Sequence, residues 1–350
     1  MEEILRAHLI GSIFVLAATC SIASAQPVKI TPLGSHAGEL CGRDRATIFE
    51  DPTGVRILYD AGQSVTGADD PRLGKIDVVI LTHAHGDHIG DMKLKALEAG
   101  TCDNPQLVSA APNSTTAEIV AAKNAAVIMV VPLANFIGRK VETIRSKPTT
   151  ACPQTGTDIV APLAAPCLAT VQTGGGSRTV KASATSKAVE ITVVPAMHDS
   201  TAPIALISDA MRKNLETDST SLTLGPPGGY VIRFTNGLTA YLTGDTGDSR
   251  RNANGRARFL QGEPDGNQLR GERALAGGSR LRGQHTLVQP ASVILSHVNE
   301  AATTGGKVRA TSRSAAFIAL VQGRPVYPAL SGKDDGIRRC GKVRCWVLAV

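Results

Sequence analysis

An apolar strand that runs directly into a cluster of metal-ligand side chains leaves few options for the fold around it. Ile76 to Leu81 is apolar apart from Asp77 and ends at Thr82, the pattern of a strand buried on both faces. His83-Ala84-His85-Gly86-Asp87-His88 follows at once. His83 and His85 stand two apart just past the strand, where alternation can point both imidazoles the same way. Asp87 adds a hard oxygen and His88 a third nitrogen, and Gly86 is expected to let the backbone turn sharply between the two pairs. Four ligand-type side chains within six residues suit a pair of borderline-soft cations such as zinc better than calcium or magnesium. The competing reading is a polar loop that happens to be rich in histidine.

Around this run the chain alternates short strands with helices. Val55 to Tyr59 is bounded by Pro52-Thr53-Gly54 and Asp60-Ala61-Gly62 and reads as a strand. Gln106 to Ala110 reads as another, and Ser114 to Asn124 has the polar start and spaced apolar positions of a helix. Glu190 to Val194 is a strand leading to His198. Tyr230 to Phe234 and Leu238 to Leu242 flank Asn236-Gly237, a strong hairpin signal, and the second ends in Thr243-Gly244-Asp245. Ser292 to Leu295 is a strand ending at Ser296-His297, Ala315 to Val321 a helix, and Pro325 to Leu330 a last strand. Lys147 to Lys187, rich in Thr, Gly, Ala and Pro, reads as an insertion or long loop. Only 3% of residues are aromatic, so small aliphatic side chains must do most of the packing. The pattern predicts an α+β fold of two face-to-face sheets with helices outside.

The His83 to His88 run resembles the fingerprint of the metallo-β-lactamase superfamily, and other stations of that family appear in order. Asp60 matches its early strand-end aspartate, His198 its isolated histidine, Asp245 its later aspartate and His297 its final histidine. The resemblance implies a four-layer αββα sandwich with a dinuclear centre at one sheet edge, spanning residues 26–350 as one domain. It implies that one metal takes His83, His85 and His198, that the other takes Asp87, His88 and His297, and that Asp245 bridges them. Asp60 would orient a ligand or the motif loop. The expected cofactors are two divalent ions, zinc foremost, with metal-bound hydroxide attacking an ester, lactone or phosphoester and Asp87 and Asp245 serving the reaction. An aspartate at the Asp245 station resembles the general hydrolases, lactonases and phosphodiesterases more than the β-lactamases. Hydrolysis of β-lactams and a metal-binding scaffold without turnover are the alternatives. His36 could line the site mouth or be structural, and Asn299, Glu300 and Lys307 could contact substrate or form a solvated loop.

Arg6 and His8, an apolar stretch from Leu9 to Ala18, and Ala23-Ser24-Ala25 before Gln26 form the pattern of a cleaved secretory signal over residues 1–25, although Glu2 and Glu3 are unusual there. The expected address is periplasmic or secreted, with no membrane anchor. Past the leader remain Cys41, Cys102, Cys152, Cys167, Cys340 and Cys345, an even number suited to disulfides. Cys152 with Cys167 and Cys340 with Cys345 are the simplest pairs, leaving Cys41 with Cys102, but spacing does not fix connectivity and buried thiols are the alternative. The formal charge of +7 does not argue for a nucleic-acid partner, because five of those charges come from Arg250 to Arg282, where the one aromatic residue, Phe259, does not make the interleaved stacking surface such binding would need. The expected partner is a small-molecule substrate; oligomeric state stays open.

One interval departs from the fold. Of the 40 residues from Ser249 to Val288, 11 are Ala, Val, Leu or Phe, seven are Gly and eight are Arg, where the family would supply helices and a buried strand. The interval has the length of the missing elements, which suggests either a displaced reading frame between Ser249 and Val288 or an Arg/Gly-rich loop.

Overall fold

The apolar run before the histidines forms the strand Val78–Ile80, all three residues fully buried. It sits inside a seven-stranded sheet, whose order is Lys29–Pro32, Thr47–Glu50, Arg56–Tyr59, Val78–Ile80, Ala126–Val130, Cys167–Val171 and Thr150–Ala151. The first three strands pair antiparallel, and from Arg56–Tyr59 onward neighbours are parallel. Parallel strands need both faces covered, which is why this run carries no alternation. The computed structural model describes residues 26–246, 249–251, 257–259, 290–321, 323–333 and 346–349. The expected leader, the Cys340–Cys345 pair and most of 249–288 lie outside the described residues.

The second sheet has eight strands, in the order Val326–Pro328, Ser292–Leu295, Trp346–Ala349, Thr239–Leu242, Gly228–Arg233, Ala188–Pro195, Ser177–Lys181 and Ile159–Val160. The sheets share one core. Tyr230, buried in the second sheet, turns its hydroxyl toward the backbone oxygens of Leu81 and Ile128 in the first, at 2.8 and 3.0 Å. Such a buried hydroxyl must find a partner, and here the partner ties the layers together. Phe49 and Phe234 stack across the same interface with centroids 6.2 Å apart. The helices Thr115–Lys123 and Val131–Arg145 cover the first sheet, with Gly138 against Leu168. The helix Thr115–Lys123 begins where the sequence predicts, because the Ser114 side chain accepts from Ala117 N, and it ends at Asn124 in the left-handed conformation. On the far side, Phe317 of the helix Arg313–Leu320 packs on the small cluster of Val293 and Val321, as does Val326. The architecture is the α+β sandwich of the metallo-β-lactamase fold.

Two sequence expectations need correction. Lys147 to Lys187 is not a loop: it supplies Thr150–Ala151 and Cys167–Val171 to the first sheet and Ile159–Val160 and Ser177–Lys181 to the second. Its residues are small and turn-like in composition, yet Cys167, Ala169 and Val171 alternate with half-buried neighbours. Period outweighs composition here. Gly86, expected to supply a sharp turn, instead opens the helical turn Gly86–Ile89; a Cβ there would lie 2.6 Å from the Asp91 carboxylate, and the left-handed residue is Gly90 (φ 76°). Glycine is needed at position 86 for space and at 90 for conformation.

Between the strand that ends near Asp245 and the strand that ends near His297 stands Trp346–Ala349, parallel to both. Of the anomalous interval, the described part is a short antiparallel pair, Ser249–Arg251 with Ala257–Phe259. The segments Cys41–Cys102 and Cys152–Cys167 are closed by disulfides. Among the described residues no helix is long and apolar enough to cross a membrane.

Candidate metal centre

Strand direction brings the ligand candidates to one edge. Arg56–Tyr59 and Val78–Ile80 are parallel and end at Asp60 and at the Thr82 to His88 run. In the other sheet, Thr239–Leu242 and Ser292–Leu295 are both parallel to Trp346–Ala349, while Ala188–Pro195 and Thr239–Leu242 both run antiparallel to Gly228–Arg233. All three ligand-bearing strands therefore run the same way, and His198, Asp245 and His297 emerge together. Gly228 N donates to Thr82 O at 2.9 Å, joining the two sheets beside the cluster.

The seven predicted ligands meet. His83, His85 and His198 form one group, His83, His88 and Asp245 a second, and Asp87, His88 and His297 a third, with ligand atoms in each within 4.8 Å of one another. Asp245 Oδ2 stands between them, 3.0 Å from His297 Nε2, 3.4 Å from His88 Nε2 and 3.7 Å from His198 Nε2.

Which nitrogen of each ring faces inward follows from its other partner. Asp60, fully buried, accepts from Thr82 N at 2.8 Å, and its Oδ2 lies 2.9 Å from Thr82 Oγ1 and 2.8 Å from His88 Nδ1. A carboxylate only accepts, so the Thr82 hydroxyl proton and the His88 Nδ1 proton both go to it. Thr82 Oγ1 then accepts from His83 Nδ1, 2.9 Å away. His85 Nε2 is engaged by Asp199 Oδ2 at 3.2 Å. The lone pairs left over are His83 Nε2, His88 Nε2 and His85 Nδ1. Asp60 thus orients ligands, the role the sequence reading gave it; Asp199 was not foreseen, although its place beside His198 was the available signal.

The charges of the cluster are strongly coupled. Burial would lower the His88 pKa, but the negative charges and hydrogen bonds of Asp60 and Asp245 push it up to about 10. His83 is driven the other way, down to about 2, by burial and by its histidine neighbours. Burial alone would raise Asp87 and Asp245, yet hydrogen bonds from His297 and the charge of His88 hold both well below the usual carboxylate range, with help at Asp87 from Arg45. The donor set fits divalent metal. His83 Nε2 is buried with no hydrogen-bond partner among the described residues, and His88 Nε2 faces His297 Nε2 at 3.1 Å. Such a pair can share a proton or, with both lone pairs turned inward, a metal ion.

Arg45 is a second residue that the sequence did not single out. Its buried guanidinium donates twice to Asp87 Oδ2, at 3.1 Å from Nε and 2.8 Å from Nη2, and also to Asn299 Oδ1 at 2.5 Å. Nothing in the spacing of positions 45, 87 and 299 announces this contact. The other sequence candidates stand outside the ligand cluster itself, Asn299 and Glu300 beside it. His36 contacts Ser35 Oγ and Gly100 O, away from the ligands. Glu300 caps the helix Arg313–Leu320 by accepting from Arg313 N and Ser314 N. Lys307 lies exposed in the short strand Lys307–Val308.

Residues 45–94, which include Arg45, Asp60 and the whole histidine run, match the family described as the metallo-beta-lactamase superfamily. Over that stretch the chain is similar to this superfamily, and the ligand candidates gather around it. Among solved structures it is similar to Igni18, described as a metallo hydrolase from the hyperthermophilic archaeon Ignicoccus hospitalis KIN4/I, at 18% identity and a TM-score of 0.46, over 89% of this chain and 99% of that one. No curated protein matches the chain.

Proposed function

We propose that the protein is an exported hydrolase that holds two divalent metal ions, zinc foremost, and cleaves an ester, lactone or phosphoester in a small molecule. The observation that carries this reading is the convergence of histidines from two groups on one oxygen, Asp245 Oδ2. His83, His85 and His198 would hold one ion, Asp87, His88 and His297 the other, and Asp245 both. When bound, the pair would supply Lewis-acid activation of water and of the substrate oxygen.

The chain's own residues do the positioning. Asp60 and Thr82 set the tautomers of His88 and His83, Asp199 sets that of His85, and Arg45 fixes Asp87 through Oδ2, the oxygen that lies 3.6 Å from His297 Nε2. Export is supported by the two disulfides, which persist in oxidising compartments.

The test is a hydrolysis screen of metal-loaded protein against lactones, aryl esters, bis-aryl phosphodiesters and a chromogenic cephalosporin, run with elemental analysis. Close to two ions per chain and turnover of one of the first three classes are expected, and His85→Ala should lose one ion together with most turnover. Preference for the cephalosporin would favour a β-lactamase. Full metal without turnover of any class would favour a binding scaffold, and a protein without metal would end the proposal. Recovery from the periplasm or medium with an N-terminus near Gln26 tests export.

A further inference from the structure

Beside Asp87 opens a cleft of about 610 Å³, within the range of small-molecule sites. Its lining is mostly polar and includes Arg43, Arg45, Arg309, Asp103, Asn299 and Glu300. Three acids face three arginines, yet the acids are already committed. Asp87 is held by Arg45. Asp103 takes two parallel bonds from Arg309, each 3.2 Å. Glu300 accepts from Arg313 N at 3.1 Å and from Ser314 N and Oγ at 2.8 Å, so its charge serves a helix terminus.

Arg43 differs. Its Nη1 donates to the neutral Gln63 Oε1 at 2.9 Å, and no carboxylate among the described residues pairs with it. Gln63 is itself buried, and its Nε2 donates to Asp91 Oδ1 at 2.7 Å, which turns its oxygen toward Arg43. The guanidinium is thus tethered by one N–H while the others remain open to the cleft. The rim is fixed as well. The Cys41–Cys102 disulfide ties the loop before Arg43 to the loop that carries Asp103, and Gly42 lies so close to Glu300 N that a Cβ would be 3.0 Å from it. Arg309 pairs with an exposed acid, a weak pairing that a ligand can compete for.

We propose that this cleft is the anion-binding part of the substrate site, with Arg43 as its anchor, and that the protein prefers substrates bearing a carboxylate or phosphate group besides the bond that is cleaved. The proposal rests on the hydrolase reading above. A planar guanidinium with free donors matches both anions bidentately, and the adjoining ligand Asp87 places the anion next to the reacting centre.

The test compares kcat/KM of the zinc-loaded full chain for a neutral aryl ester, p-nitrophenyl acetate, and an acidic one, mono-p-nitrophenyl glutarate. Binding of glutarate and of inorganic phosphate is measured alongside by calorimetry. The wild type should favour the acidic ester. Arg43→Gln should lower the acidic-to-neutral ratio about tenfold and weaken anion binding, Arg43→Lys should keep most of both, and metal content should stay the same. The anion whose binding falls more in Arg43→Gln identifies the group recognised. Turnover with no preference for the acidic ester, or a ratio that Arg43→Gln leaves unchanged, overturns the anion site alone. Turnover of neither ester while Arg43-dependent anion binding persists overturns the hydrolase reading alone.

Discussion

Replacing Asp60 by Asn changes one atom and, on the proposed two-metal reading, should cost much of the affinity for the ion held through His88. Oδ2 of Asp60 now accepts from both Thr82 Oγ1 and His88 Nδ1. In Asp60→Asn the amide oxygen can still serve Thr82 N, but an NH2 group then faces two hydrogens. His88 relieves the clash by accepting at Nδ1, which moves its proton to Nε2. That nitrogen lies 3.1 Å from His297 Nε2 and 3.4 Å from Asp245 Oδ2, so the proton lands where the cation belongs. Loss of such a supporting carboxylate lowers metal affinity about 10–100-fold, which corresponds to about 1.4–2.7 kcal/mol. Thr82 loses its acceptor at the same time, so the group containing His83 should weaken too, by less. Competition against a chromophoric zinc chelator resolves the two stepwise affinities, and circular dichroism checks that the variant is folded. If a folded Asp60→Asn binds both ions within about twofold of wild type, where 10–100-fold is expected for a lost supporting partner, then Asp60 does not set the His88 tautomer and the reasoning is refuted.

Two further outcomes follow from the frame around the site. Burial alone would raise the Asp70 carboxyl, but hydrogen bonds from Arg72 and Thr66 N outweigh it and hold the pKa below the usual value. A depressed carboxyl contributes stability above its unfolded pKa of about 4 and loses it as pH falls through the folded value, so urea unfolding should find wild type ahead of Asp70→Asn at neutral pH, with the gap closing on acidification; a constant gap would contradict the ion pair. Replacing Cys152 and Cys167 together by Ala releases a link across 15 residues and should lower stability by about 3 kcal/mol, read as a shift in the urea midpoint; an unchanged midpoint would mean the sheet holds this segment without the bridge.

Much of the centre is legible in sequence because its ligands are local or stand at strand ends. His83 to His88 announce themselves by density, and Asp245 and His297 by their position after β-branched or hairpin strands. What resists reading is whatever depends on two distant segments meeting. Arg45 reaches Asp87 and Asn299 through folding alone, and Arg43 gains its role in the cleft only because the acids around it are engaged elsewhere. The strands between Thr150 and Lys181 escape for another reason: their buried positions mix Cys167, Ala169, Val171 and Val180 with a charged residue, Arg178, so the contrast between faces is faint and the turn-forming composition dominates.

The placement of Trp346–Ala349 has a consequence for the order of assembly. Thr239–Leu242 and Ser292–Leu295 hydrogen-bond to this segment rather than to each other. Every proposed ligand is translated before it, so during vectorial synthesis the strands that lead to Asp245 and His297 are made before the strand that joins them. Open parallel edges invite wrong pairing and aggregation. The centre's final spacing is thus set by one of the later steps of folding, and a tag or truncation that disturbs Trp346–Ala349 would reach the metal ligands through both strands at once.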